Sequence, residues 1–236
     1  MPVALPVEVA TPSHVTWEAV RAALRLIALA LLAGAWLPAS HAQTGEAACG
    51  NPAKSWYGPF DYRTAPKGAL LNVETHHFSA QVEQLIRGVT TDATTMGKDV
   101  GYVLGVFPNH HRALLTMMRM SERDRNDQPR ASGRPMECWF DRAVRFASDD
   151  TVARLMYAVW LRKKGRPEDS LAQTRAAEGV AGDNPLTHFN VGMSYFELGK
   201  FEQAVAAARR AQELGLNKPE LVNRLKGVNQ WPESKP

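Results

Sequence analysis

Across residues 151–218 one arrangement of residue types occurs twice, 34 positions apart. Ala158 corresponds to Gly192, Gly165 to Gly199, Ala177 to Ala211 and Pro185 to Pro219. A fixed period of this length implies units that stack on copies of themselves, because one short helix pair cannot bury its own apolar face. Each unit reads as helix, glycine-centred turn, helix. Asp150 is placed to cap a helix over 151–164, and Gly165 to end it. Pro167 opens a helix over 167–180 at a first-turn position, where its missing N–H costs nothing. Asn184 and Pro185 begin the next helix in the same way, and Gly199 ends it. Helices over 201–214 and 219–228 follow. In the last of these Leu221, Leu225 and Val228 share one face, as a terminal capping helix requires.

The pattern fades toward the N-terminus. A helix over 136–147 is still in phase, with Ala143 lying 34 positions before Ala177. The helix before it, over 109–123, carries Leu114, Leu115, Met117, Met118 and Met120. It is out of phase, since Asp124 falls where Ala158 and Gly192 recur. The polar loop between them, with Pro129 and Gly133, is expected to have absorbed about six extra residues. Further upstream, apolar spacing predicts helices over 79–88 and 98–107 joined by a threonine-rich loop over 89–97. Residues 43–78 are predicted irregular, because Gly50, Pro52, Gly58, Pro59, Pro66 and Gly68 interrupt any helix. Within them Trp56, Tyr57, Phe60 and Tyr62 are too apolar for a free tail, and are expected to cover the first helices.

The repeat resembles the tetratricopeptide repeat, a protein-binding module. In residues 185–218, Gly192 and Ala204 take the positions where the two helices of that family's unit cross most closely. Tyr195, Leu198, Phe201, Ala211 and Leu214 match more of its pattern. In residues 151–184 the matching small residues are Ala158, Ser170 and Ala177. The chain also departs from the family. Leu161 stands for its tyrosine, Arg154 and His188 for its tryptophan, Thr174 and Ala208 for a large residue, and Gly182 and Leu216 for its proline. The resemblance implies an all-α fold: a solenoid of helical hairpins over 79–236, with an irregular N-terminal segment and a C-terminal capping helix. It also implies a groove lined by the first helix of each unit. Carried over by position, that groove comprises Leu155, Val159, Arg162 and Lys163, then Phe189, Asn190, Met193, Phe196 and Glu197. Such a set suits a polypeptide ligand. Met193 adapts its shape, Asn190 can donate to and accept from a backbone, and Arg162 can hold a carboxylate.

Residues 1–42 read as a cleaved secretory signal. Arg21 and Arg25 precede an apolar run over 26–37, and the sequence Ala39-Ser40-His41-Ala42 follows. The run of 12 is short for a membrane span. Export implies a periplasmic or secreted bacterial protein, with membrane attachment only if the signal is retained. An oxidising compartment and an even cysteine count predict a Cys49–Cys138 disulfide. The net charge of +4 contains no Lys/Arg block, so nucleic acid is not an expected partner. No phosphate loop, nucleophile elbow or zincin motif is present, which leaves no expected catalytic residue, cofactor or small-molecule substrate. His76-His77 and His110-His111 lack metal-ligand spacing, and no metal is expected. The expected function is a non-catalytic envelope adaptor or scaffold binding a peptide or protein segment. Alternatives are a structural subunit of an envelope assembly and, further off, a histidine-based metal protein.

Overall fold

The computed structural model describes residues 46–55, 57–88 and 92–232, and every regular element among them is a helix. The signal-like residues 1–42 and Trp56 lie outside the described residues. Among the described residues no helix is long and apolar enough to cross a membrane. A one-turn helix α1 (Glu46–Cys49) leads through irregular chain to α2 (Lys67–His77) and a second one-turn helix, α3 (Ala80–Glu83). Four longer helices follow: α4 (Ala93–Val106), α5 (His111–Asp124), α6 (Met136–Phe146) and α7 (Thr151–Lys163). The chain ends in α8 (Pro167–Gly179), α9 (Pro185–Glu197), α10 (Phe201–Glu213) and α11 (Glu220–Gly227).

In the C-terminal half the local signals act where they stand. Asp150 accepts the N–H groups of Val152 and Ala153 at 3.1 Å, and Asn184 accepts that of Thr187 at 3.0 Å. Gly165 and Gly199 end α7 and α9 with φ of +71° and +68°, a conformation only glycine adopts cheaply. The small residues permit close crossings. Ser170 Oγ donates to the Ala158 carbonyl at 2.7 Å, joining α8 to α7. At the equivalent point of α9, a Cβ on Gly192 would lie 3.3 Å from the Ala204 carbonyl of α10 and 2.5 Å from a Leu221 methyl of α11.

The N-terminal half departs from expectation in three places. Pro66 and Gly68 do not prevent a helix; they begin α2, whose Ala69 and Val73 are buried. A proline at a helix entry removes no helical hydrogen bond, which is why it starts α2 instead of breaking it. The helix expected over 79–88 is a single turn. Only Val82 is buried there, and Leu85 adopts φ +57° just after it. Conversely, α4 starts well inside the expected threonine-rich loop, because Asp92 caps it by accepting the Thr95 N–H at 2.7 Å. Gly97 lies within this helix and is needed for contact. A Cβ there would be 1.8 Å from the Arg130 carbonyl, and one on Gly101 would be 2.7 Å from that of Ser132. The eleven-residue connection 125–135 therefore rests directly on α4, where α7–α8 and α9–α10 are joined by three residues each.

Two apolar clusters result. One joins Phe78 and α2–α7 through Met96, Leu104, Leu114, Met117, Phe140 and Leu161. The other joins α8–α11 through Leu171, Val191, Tyr195, Ala204, Leu221 and Leu225. The irregular segment is held onto the first cluster in several ways. Cys49 and Cys138 form a disulfide between α1 and α6. Arg142 and Arg145 of α6 donate to the carbonyls of Asn51 and Gly50, each at 2.8 Å. Tyr57, Phe60 and Tyr62 pack against the cluster, Phe60 against Phe107 and Tyr62 against the His110 ring at 4.1 Å.

Candidate functional site

A cleft of about 390 Å³ runs between α7 and α9. On α7, residues 152, 155, 156 and 159 recur at helical spacing and form an apolar floor of Val152, Leu155, Met156 and Val159. The facing wall of α9 is more polar, with Asn190, Met193 and Ser194. Both ends carry polar pairs. Thr151 and Thr187 approach to 3.4 Å between hydroxyls at one end. At the other, Arg162 lies 3.5 Å from Glu197, which also binds Arg224 at 2.6 Å. Val152 is 42% exposed although it is apolar, so part of the floor faces solvent.

Of the nine groove positions expected from sequence, six line this cleft: Leu155, Val159, Arg162, Asn190, Met193 and Glu197. Three do not. Lys163 is turned toward α5 and pairs with Glu122 at 2.5 Å. Phe189 and Phe196 are half-buried against the C-terminal cluster, since a large ring next to an available core gains more from burial than from facing an open cleft. Lys218 lies over the Phe189 ring, and Arg224 over the Phe196 ring at 4.5 Å. Sequence reasoning missed Thr151, Val152, Met156, Thr187 and Ser194. The 152–156–159 periodicity was the available signal for the apolar ones.

The histidines occupy a different place, in a polar seat that fastens the N-terminal segment. Asn109 is fully buried and uses both ends of its amide. Its Oδ1 accepts the Tyr62 N–H at 2.9 Å, while Nδ2 donates to Asp61 and Asp150, each at 2.8 Å. Arg63 bridges Asp61 and Asp149 beside it. His111 Nε2 meets both Asp150 oxygens at 2.8–2.9 Å. Burial pushes the Asp150 carboxyl up, but the His111 hydrogen bond and charge, with the Ala153 N–H and Asn109, outweigh it and hold the group below its ordinary range. His77 pairs with Asp99 at 2.9 Å, and His76 is exposed. Among the described residues no group of three or more His, Cys, Asp or Glu side chains is arranged to hold a metal.

His110 is the most constrained of these groups. It is fully buried, its Nδ1 accepts the Ala113 N–H at 3.1 Å as the cap of α5, and its Nε2 donates to Glu74 at 3.0 Å. Burial first, then the charge of Arg112, pushes its pKa down from 6.5 to about 3. The folded chain therefore refuses a proton that the unfolded chain accepts below about pH 6.5. The associated stability is complete above that pH and is lost as the pH falls toward 3. Depression of the Asp150 pKa acts in the same direction, below about pH 4. The melting temperature is expected to fall steadily from pH 7 to pH 4, with His110 contributing up to roughly 1.4 kcal/mol per pH unit. His110→Asn keeps a capping oxygen but cannot titrate, and should flatten that slope. An identical slope in the variant would mean that His110 protonates normally in the folded chain.

Comparison with protein-family models, with curated proteins and with solved structures returns no match to this chain.

Proposed function

We propose that this chain is a non-catalytic adaptor of the bacterial cell envelope. It is exported by residues 1–42 and holds a peptide or protein segment in the cleft between α7 and α9. In this reading α7–α8 and α9–α10 are successive hairpins of a tetratricopeptide-like array, and the α4–α6 region is an atypical beginning to it. The 34-residue spacing of the Ala158–Ser170 and Gly192–Ala204 crossings supports that equivalence.

The observation that carries the proposal is the chemistry of the cleft. Its floor offers apolar contact from four residues at helical spacing, with Met156 and Met193 able to adjust to different side chains. Asn190 is exposed on the wall with no hydrogen bond from its side chain among the described residues, so its amide is available to a backbone. The Arg162–Glu197–Arg224 group holds two cations to one carboxylate, which favours an acidic group on the ligand at that end. No nucleophile, acid–base pair or cofactor enters this reading.

A photoreactive amino acid placed at Val159 should crosslink a polypeptide when the protein is expressed in its native envelope. Val159→Arg, which puts a charge in the middle of the floor, should reduce peptide binding at least tenfold. Its melting temperature should change little, because position 159 is only partly buried. Absence of any crosslinked polypeptide, or equal binding by Val159→Arg, would remove the cleft from consideration.

A further inference from the structure

A second cavity, of about 460 Å³, lies beside the disulfide-tied segment, between residues 54–55, α4 and the start of α6. An adjoining cavity of about 430 Å³ shares Tyr102, Gly105, Arg134 and Trp139 with it. Lys54, Arg134 and Arg142 line the first and Lys98 the second, while no Asp or Glu lines either one. Among the described residues none of these four cations has an ion-pair partner. Asp141, the carboxylate that acts on Arg142, is itself held by Arg145 at 2.6 Å.

Lys54 and Lys98 are exposed and Arg134 is half-buried, but Arg142 is not part of a solvated surface. Arg142 is 2% exposed, and although its Nη1 donates to the Asn51 carbonyl, its Nε has no partner. Trp139 is 5% exposed and its indole N–H is also unpaired. The two guanidiniums flank this one indole, with Arg134 at 5.6 Å and Arg142 at 6.0 Å from the ring centre. Burial, together with the like charges of Arg134 and Arg145, lowers the Arg142 pKa to about 10. A desolvated cation with an unused N–H is costly, and buried donors in native proteins normally find an acceptor. Here two residues of the lining carry buried donors without an acceptor to match.

We propose that this cavity binds a small organic anion, with its carboxylate or phosphate head on Arg142, Arg134 and the Trp139 N–H. The apolar body of the ligand lies against Tyr102 and Val106. The head is an oxyanion because guanidinium and indole N–H groups donate and cannot accept. The ligand is organic because the cavity falls within the size range of small-molecule sites, far above the needs of a bare ion, and has aromatic and aliphatic lining. This site is separate from the α7–α9 cleft and does not depend on that cleft's function.

Calorimetric titration of the full, oxidised protein with benzoate, phenyl phosphate and inorganic phosphate, at constant ionic strength, tests the proposal. Saturable binding of benzoate or phenyl phosphate is expected with a Kd below about 1 mM. Inorganic phosphate should bind at least tenfold more weakly. The preferred organic anion identifies the head. Arg134→Gln and Trp139→Phe should each weaken binding about tenfold or more, the second by removing the N–H while keeping a ring. Neither touches the Asn51 contact that makes Arg142 a risk to folding. Lack of saturable binding by both organic anions, or unchanged affinity in both variants, would overturn the site. Inorganic phosphate binding as tightly as phenyl phosphate would overturn the organic ligand.

Discussion

Replacing Cys49 and Cys138 together by serine should lower the stability of the chain by roughly 4–5 kcal/mol in the chain-entropy account of crosslinks. The bond closes a loop with a sequence separation of 89, so most of its effect falls on the unfolded chain, which it deprives of many extended conformations. A loss of that size is a large part of the 5–15 kcal/mol by which domains are ordinarily stable. Other attachments of the segment remain, among them the Arg63–Asp149 ion pair. Among the described residues they also include two arginine contacts to backbone carbonyls, a backbone bond from Phe60 to Val106, the Asn109 seat and the aromatic packing. Limited proteolysis of the variant should therefore cut within residues 50–66 before α8–α11 become accessible. Urea unfolding of the oxidised and variant proteins checks the magnitude. A difference below about 1 kcal/mol would mean that the unfolded chain is already compact across this loop.

What could be read from sequence, and what could not, follows the range of the interactions involved. Asp150, Pro167, Asn184, Pro185 and the positive-φ glycines of the C-terminal half act on backbone groups within a few residues, so α7–α10 were legible nearly to their ends. In the N-terminal half the deciding contacts are distant. Gly97 resembles a loop residue until the chain at Arg130 is laid across it. Asn109 gains its meaning only when Asp61 and Asp150, 48 and 41 positions away, meet on its amide. The cleft was partly legible for the same reason. The repeat resemblance implied Leu155, Val159, Asn190 and Met193, which line the cleft, but it could not foresee that Phe189 and Phe196 would lean into a neighbouring core. The cationic cavity was not legible at all, because Lys54 and Arg142 belong to stretches brought together by the disulfide-tied segment.

Gly192→Leu should destabilise the C-terminal helices by about 3 kcal/mol or more, at the upper end of the usual cost of overfilling a core. The position leaves no room. The first added carbon would already meet a Leu221 methyl at 2.5 Å, the Ala207 Cβ at 3.2 Å and the Ala204 carbonyl at 3.3 Å. Leu221 is fully buried, so its methyl cannot simply swing into solvent, and the Ala204 carbonyl belongs to the rigid backbone of α10. The three further carbons of a leucine must then drive α9 away from α10 and α11, uncovering Val191 and Tyr195, which are now buried. Gly192→Ala sets a smaller clash against a gain in helix propensity of about 1 kcal/mol, and should fall between the leucine variant and the parent. The wall of the cleft is made by the same helix through Asn190, Met193 and Glu197, so the leucine variant should lose peptide binding and cooperative unfolding together. Val159→Arg should lose the first and keep the second. Thermal unfolding of the pair, followed by far-UV circular dichroism, separates a cleft that binds from a fold that merely contains a cleft. A melting temperature for Gly192→Leu equal to that of the parent would mean that α9 and α10 do not cross at this glycine.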